Sequence, residues 1–275
     1  MARLVGEHLG RKLGQTVIVD NKPGANGIIG MGYVAKTAPD GYTMLYAITG
    51  LIQNASLYKK LPYDPFKDFQ PISLVGLSPV AFVVAANSPA KSMAEFIEMA
   101  RKVPSSYSSN GVGSTPHLYR ELLASAGNVK MVHVAYKGES PAIVDIIGGQ
   151  VCGGFVSLGL ASAQVAGGKV RVLAVAARKR SPLMPSAATM AELGFPGFEA
   201  AGFSGLLFPA RVPKDITHKV SSAVNSVLKM PEVAQRIVEM GFEPGGDTPE
   251  EYAALLRSDF AHWDALIKRN KIELD

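Results

Sequence analysis

Residues 110–122, NGVGSTPHLYREL, crowd two glycines, two hydroxyl residues, a proline and a histidine just ahead of a helical apolar pattern. Gly111 and Gly113 let a backbone come close to a ligand. Ser114 or Thr115 can cap the helix, with Pro116 at its first position, where a missing N–H costs nothing. The N-terminal amides and dipole of such a helix favour a negative charge. A dinucleotide loop needs G-x-G-x-x-G, whereas Pro116 stands where the third glycine belongs; a P-loop needs Gly-Lys-Ser/Thr, which is missing. Nucleotides are therefore excluded. The motif serves equally as a seat for a smaller anion or as a turn before a capped helix. His117, in the first helical turn, is placed either to donate to a carboxylate or to hold structure.

Other polar residues gather where strands should end. NKPGANGIIG (21–30) repeats the turn-then-helix grammar, with Gly24 and Gly27 serving turn geometry. ITGLIQN (48–54) offers Thr49 and Asn54 where open α/β sheets bind ligands. VAYKGES (134–140) holds the corresponding point later in the chain, with Tyr136 able to line a cleft and Lys137 read as a solvated charge. FVSLG (155–159) and GFSG (202–205) stand at further strand ends.

Covalent and metal chemistry find little support. No serine sits in a G-x-S-x-G elbow, although FSGLL invites the comparison. No carboxylate pair stands at a strand end, since Asp145 falls inside a helical pattern and the acids of 249–275 belong to an amphipathic tail. His8, His133, His218 and His262 lack metal-ligand spacing. The single Cys152 excludes an intrachain disulfide and a cysteine zinc site, and its apolar surroundings read as core.

The elements that must carry these residues alternate. An opening helix shows Leu4, Val5, His8, Leu9 and Leu13 at helical spacing, without the basic and apolar regions of a signal peptide. Strand 16–20, helix 27–38, strands 42–47, 72–77 and 81–86 and helix 92–103 follow, the last with Ser92 as cap and Glu95 at the capping-box position. A second series comprises strand 105–109, helix 116–126, strand 129–135, helix 140–148, strand 151–156, helix 160–167 and strand 170–176. The polar stretch 178–188 interrupts it, 203–213 is extended, and helices at about 214–228, 231–240 and 248–270 close the chain. Such alternation implies an α/β fold with mainly parallel sheets. The final helices have no sheet of their own, so they are expected to pack on the first series. Two lobes result, 1–87 plus 204–275 and 88–203, with a hinged cleft of the kind that favours ligands.

Composition agrees with a globular protein that stays out of the bilayer core. Hydrophobic residues make up 47% and charged residues 19%. The longest apolar run, Val80–Ala86, falls far short of the roughly 20 residues a membrane helix needs. A net charge of +5 favours anionic partners, yet the tightest basic cluster, Arg178-Lys179-Arg180, lacks the aromatic platform of a nucleic-acid site.

VIVDNKPGANGIIGMGYVAKTAPDGYTMLYA resembles the signature of the Bug proteins, the extracytoplasmic solute receptors associated with tripartite tricarboxylate transporters. The similarity continues through SLYKKLPYDPFKDFQPIS, GVGSTPHL, VHVAYKGESPAIVDIIGGQV, AGGKVRVLAVAARKRSPLMP and TPEEYAALLRSDFAHWDALIK, covering essentially the whole chain. It implies a type II periplasmic-binding-protein fold closing on a small organic carboxylate such as a di- or tricarboxylate, with no cofactor, metal or catalysis. The resemblance assigns Thr49, Gly50 and Asn54 in the first lobe. In the second it assigns Ser109, Asn110, Gly111, Gly113, Ser114, Thr115 and His117, with Tyr136 and Gly138 nearby. Ser157 stands in the segment where many relatives carry an acidic or amide pair, so a plain carboxylate is expected rather than an amino acid. Phe203 and Ser204 stand where the chain returns to the first lobe. The implied partners are membrane transporter subunits or a sensor kinase, not nucleic acid, and the implied state is a periplasmic monomer. The family's opening strand and P-x-x-P-G-G-x-x-D loop do not precede Met1, which points to a truncated or mis-started chain. Ala135 and Ala201 replace residues that are larger or proline in relatives. The competing expectations are a cytoplasmic ligand-sensing module of the same fold and, more remotely, a hydrolase using Ser204.

Overall fold

A computed structural model describes residues 1–270 and Ile272. In chain order its elements are α1 (Ala2–Leu13), a 3₁₀ turn (Ala25–Gly27), α2 (Ile28–Val34), β1 (Leu45–Ile48), α3 (Gly50–Leu57), β2 (Phe69–Ser78), β3 (Val80–Ala85) and α4 (Met93–Lys102). Then come β4 (Ser105–Ser109), α5 (Thr115–Gly127), β5 (Met131–Ala135), α6 (Glu139–Ile147), β6 (Gly153–Ser157), α7 (Leu158–Ala166) and β7 (Val170–Ala176). β8 (Gly202–Pro209), α8 (Lys214–Leu228), α9 (Pro231–Glu239), β9 (Glu243–Pro244) and α10 (Pro249–Arg269) complete it. The chain forms two compact units: the first comprises Met1–Leu77 and Phe203–Asp264, the second Ser78–Gly202 and Ala265–Ile272.

Unit 1 has a sheet of order β1-β8-β2-β9, with β1 antiparallel to β8 and β2 antiparallel to β9. Its core joins Val5 and Leu9 of α1, Ile72 and Val75 of β2, Leu206 and Phe208 of β8, and the apolar stripe Val220, Val224 and Val227 of α8. Val233 and Ile237 of α9 enter the same cluster, so α8 and α9 cover the sheet of the first series. Fully burying each Val or Leu here contributes about 2 kcal/mol.

The expected strand at 16–20 is corrected. Thr16–Asp20 forms no strand and belongs to neither sheet, and Ile18 is 84% exposed. Its β-branched residues suit a strand, yet a strand exists only through a partner ladder. The segment instead lies along the glycine face of α1: a Cβ on Gly10 would come within 2.8 Å of Gln15 O, and one on Gly6 within 3.2 Å of Val17 Cγ1.

Unit 2 has a sheet of order β5-β4-β6-β3-β7. β4 is parallel to β5 and β6, whereas β3 runs antiparallel to β6 and β7. The sheet is therefore mixed, and unit 1 shows antiparallel pairs, which corrects the expectation of mainly parallel sheets. Alternation of helix and strand tells which faces are covered but not in which direction an inserted strand runs. β3 explains the longest apolar run: Ala81 and Val83 pack with Ile143, Ile146 and Val156, while Phe82 makes edge contacts with Phe96 and Phe155. Both faces of β3 are dry, as befits a strand with neighbours on either edge and helices above and below. Ser92 caps α4 by accepting Glu95 N–H at 3.2 Å, and the Glu95 carboxylate accepts Lys91 N–H at 2.7 Å. Cys152 is half-buried just before β6 rather than in a core.

Candidate functional site

In unit 2 the loop 110–114 leaves the carboxyl end of β4 and enters α5. Gly111 (φ 136°) and Gly113 (φ 78°) take conformations that a side chain would strain. The hydroxyls shape the loop itself. Ser114 stands at the N-cap of α5, yet its Oγ donates to Gly111 O at 2.6 Å instead of capping a helical amide. Ser109 Oγ accepts Gly111 N–H at 3.3 Å, lies 3.1 Å from Gly111 O, and meets His133 Nε2 at 2.6 Å. At the start of α5, Ser114 N–H bonds to Gly111 O, Leu118 N–H bonds to Ser114 O, and Pro116 has no N–H. These first-turn residues lie at the positive end of the helix, where its dipole favours negative charge.

His117 is buried and turned inward. Its Nδ1 accepts Gly113 N–H at 3.2 Å, which fixes the ring proton on Nε2, 3.6 Å from Glu121 Oε1. Its ring stacks on His133 (centroids 4.3 Å apart, 12° between planes), and His133 stacks in turn on Tyr107 (4.9 Å, 18°). The Arg120 guanidinium lies over Tyr107 at 4.5 Å and pairs with Glu121. Burial, then the nearby His117 and Arg120, push His133 down to about 4, while Glu121 opposes. Glu121 is held below its usual range, first by its hydrogen bond with His117 and then by Arg120. Burial raises the Tyr107 phenol far above its usual value. This ring stack was not legible in the sequence, because β4, β5 and α5 each supply one ring and no short spacing joins them.

The remaining unit 2 candidates flank the loop. Tyr136 N–H donates to Ser109 O at 3.0 Å, tying the end of β5 to that of β4. Its hydroxyl donates to Asp145 Oδ2 at 2.6 Å, and burial together with that carboxylate pushes the phenol up to about 12. Gly138 (φ 114°) is the N-cap of α6. Ser157 is clamped by an acid: its N–H donates to Glu139 Oε1 at 3.1 Å and its Oγ to Glu139 Oε2 at 2.7 Å. Sequence reading noticed no acid within the strand-end segment itself; the fold brings one from α6.

Unit 1 gathers Thr49, Gly50, Asn54, Phe203 and Ser204 where β1 ends and β8 begins. Thr49 Oγ1 accepts Phe203 N–H at 2.8 Å. Asn54 is fully buried on α3, not in a loop. Its Oδ1 accepts Asn26 Nδ2 at 2.9 Å, and its Nδ2 donates to Asn26 O and Tyr63 OH, both at 3.3 Å. These bonds hold four consecutive residues at positive φ, Gly24, Ala25, Asn26 and Gly27. Gly24 and Gly27 adopt that region freely, so the backbone strain lies at Ala25 and Asn26, where the surroundings must over-determine it. Gly50 is needed for that approach, because a Cβ there would meet Asn26 O at 3.0 Å. Phe203 and Ser204 are buried in β8; the Tyr46 hydroxyl faces Ser204, and burial pushes it up to about 12.

The family described as "Tripartite tricarboxylate transporter family receptor" matches residues 1–272. Protein BugT of Bordetella pertussis is 30% identical over 278 residues, an alignment covering 100% of this chain and 85% of that protein. Among solved structures, Rpa4515 of R. palustris with adipate is 32% identical with a TM-score of 0.90, covering 99% of this chain and 93% of that one. The periplasmic binding protein BugD is 32% identical (TM-score 0.86; 99% and 93%). MatC of Rhodopseudomonas palustris with bound malate is 28% identical (TM-score 0.83; 97% and 92%). A match of this extent, over a fold that reproduces both α/β units, places the chain in the family of tripartite tricarboxylate transporter receptors, to which the Bug proteins belong.

Proposed function

We propose that the protein is an extracytoplasmic receptor that binds a small organic carboxylate without transforming it and presents it to membrane transporter subunits or a sensor. The observation that carries this reading is the loop 110–114 at the head of α5. Two glycines at positive φ, Gly111 held by the Ser109 and Ser114 hydroxyls and Gly113 by the His117 ring, lead directly into the N-terminus of a 13-residue helix. A helix N-terminus reached through such a glycine loop favours an anion through its amides and dipole. The relatives crystallised with adipate and malate support the ligand class, and the periplasmic BugD supports the location.

In this reading Asn110, Thr115 and His117 contribute the loop's and first helical turn's groups to the carboxylate, while Gly111 and Gly113, whose amides are bonded to Ser109 and His117, and the hydroxyls of Ser109 and Ser114 set the loop's shape. Tyr136, Gly138 and Ser157 border the seat. Thr49, Gly50, Asn54, Phe203 and Ser204 form the unit 1 part of the site, with Asn54 and the Phe203 amide holding its shape through bonds to Asn26, Tyr63 and Thr49. Glu139 would be the acid to greet a ligand ammonium, but both its oxygens are engaged by Ser157. Plain carboxylates are therefore preferred over amino acids. Hydrolysis at Ser204 is disfavoured, since its hydroxyl is buried in β8 against Tyr46.

A calorimetric and thermal-shift panel on the full chain tests this with adipate, malate, glutarate, glutamate and the uncharged adipamide. The expected result is binding of dicarboxylates, weaker binding of glutamate than glutarate, and none of adipamide. A ligand at a hundred times its Kd adds about 2.7 kcal/mol of stability. A panel in which no carboxylate raises the melting temperature, or adipamide does so equally, refutes the proposal.

A further inference from the structure

The geometry points to His133 as the positioning residue of the anion loop: wedged between Tyr107 and His117, it fixes the Ser109 hydroxyl and through it the path of Gly111–Ser114. The His133 Nε2–Ser109 Oγ contact, at 2.6 Å, joins β5 to the last residue of β4, from which the loop departs. Ser109 Oγ is also within hydrogen-bond distance of both the N–H and the C=O of Gly111, so one hydroxyl holds the peptides on either side of this glycine, and Ser114 grips the same C=O. On the far side of the stack, His117 takes Gly113 N–H. Two parallel imidazoles therefore hold the two glycines, and the 4.3 Å stack keeps them in step. A side chain on β5 thereby sets which way the loop's amides point.

The groups that face His133 are Tyr107 and Ser109 of β4 and His117, Arg120 and Glu121 of α5. A proton added to His133 would sit buried beside the Arg120 charge, which only Glu121 offsets. The ring therefore stays neutral down to about pH 4. Neutrality keeps Nε2 bonded to Ser109 in either tautomer, as donor or as acceptor. The same depression argues against a nucleophile–base pair. An imidazole that protonates only near 4 is a feeble base at neutral pH, and Ser109 is already tied to Gly111.

Any consequence for affinity rests on the carboxylate reading above; the consequence for the loop does not. Amide NMR spectra of the ligand-free full chain are compared for wild type, His133→Ala and His133→Gln between pH 8 and 4, alongside adipate titrations. The Gly111 and Gly113 resonances are expected to shift in His133→Ala and return toward wild type in His133→Gln, whose side chain restores a neutral hydrogen-bonding end. In wild type they move together only as the pH approaches about 4. Adipate binding weakens about tenfold in His133→Ala and recovers in His133→Gln, as loss of one hydrogen bond implies. Ser109→Ala removes the same bond from the other side and is expected to displace the same resonances, which covers the case of His133→Ala failing to fold. Loop resonances that stay put in folded His133→Ala or Ser109→Ala overturn the inference. So does Ser109-dependent turnover of p-nitrophenyl acetate, which would make the pair catalytic. A wild type that binds none of the carboxylates in the panel overturns only the receptor reading, because the loop is read without ligand.

Discussion

Asn54 shows how a single amide can be noticed by its type while its partners stay hidden in the sequence. An Asn after a strand end is suited to meet a ligand, and that much is visible in ITGLIQN. Its actual bonds go to Asn26, 28 positions earlier, and to Tyr63. Neither neighbour is implied by any local spacing. The same is true of Ser157 and Glu139, whose pairing spans 18 positions. Candidate site residues were thus legible as polar groups at strand ends, whereas the bonds that orient them were not. Asn54→Leu tests the staple. It keeps the volume but leaves the Asn26 amide and carbonyl without their partners, and each buried group left unsatisfied costs about 1–3 kcal/mol. The urea midpoint is expected to fall by the equivalent of about 2 kcal/mol or more. A loss below about 0.5 kcal/mol, the usual range for an uninvolved surface position, would show that the positive-φ turn stands without it.

Among the elements, those with a period and a cap were readable, and those defined by a partner were not. α8 is announced by Val220, Val224 and Val227, and α4 by its Ser92 and Glu95 ends. The segment 16–20 has strand composition, but its place is decided by the bare face of α1, whose Gly6 and Gly10 are spaced one helical turn apart. Two effects compete when a methyl is added there. Ala in place of Gly favours a helix interior by about 1 kcal/mol, while forcing atoms into a packed contact costs about 1–3 kcal/mol. At Gly10 the obstacle is a backbone oxygen at 2.8 Å, which cannot rotate away; at Gly6 it is a valine methyl at 3.2 Å, which can yield. Gly10→Ala should therefore lower the urea midpoint, and Gly6→Ala should leave it level or raise it. The reverse order would mean that segment 15–19 is not seated on the helix as described.

For the whole molecule, the alternation of helix and strand already delivers an α/β protein with two series of elements, and the cores of both units are built from the apolar positions it marks. The reversed course of β3 is invisible to that rhythm, because a strand buried on both faces reads alike in either direction. Long-range electrostatics adds a property that composition could not supply. The unfolded chain protonates His133 near 6.5, and the folded protein only near 4. Between those values the unfolded state binds more protons, so stability is complete above about pH 6.5 and falls as the solution is acidified toward 4. Glu121, depressed by His117 and Arg120, adds its own loss as pH falls below its usual 4.5. Asp247 acts in the opposite sense: burial raises it, so the folded protein takes up that proton first and gains stability on acidification. The lowered His133 acts over a window that the carboxylates reach only at its acid end. Urea midpoints should therefore decline as pH falls below about 6.5, and His133→Gln should remove the decline between about 6.5 and 4.5. Equal slopes in wild type and variant across that window would place the acid sensitivity elsewhere and leave the ring stack without its electrostatic cost.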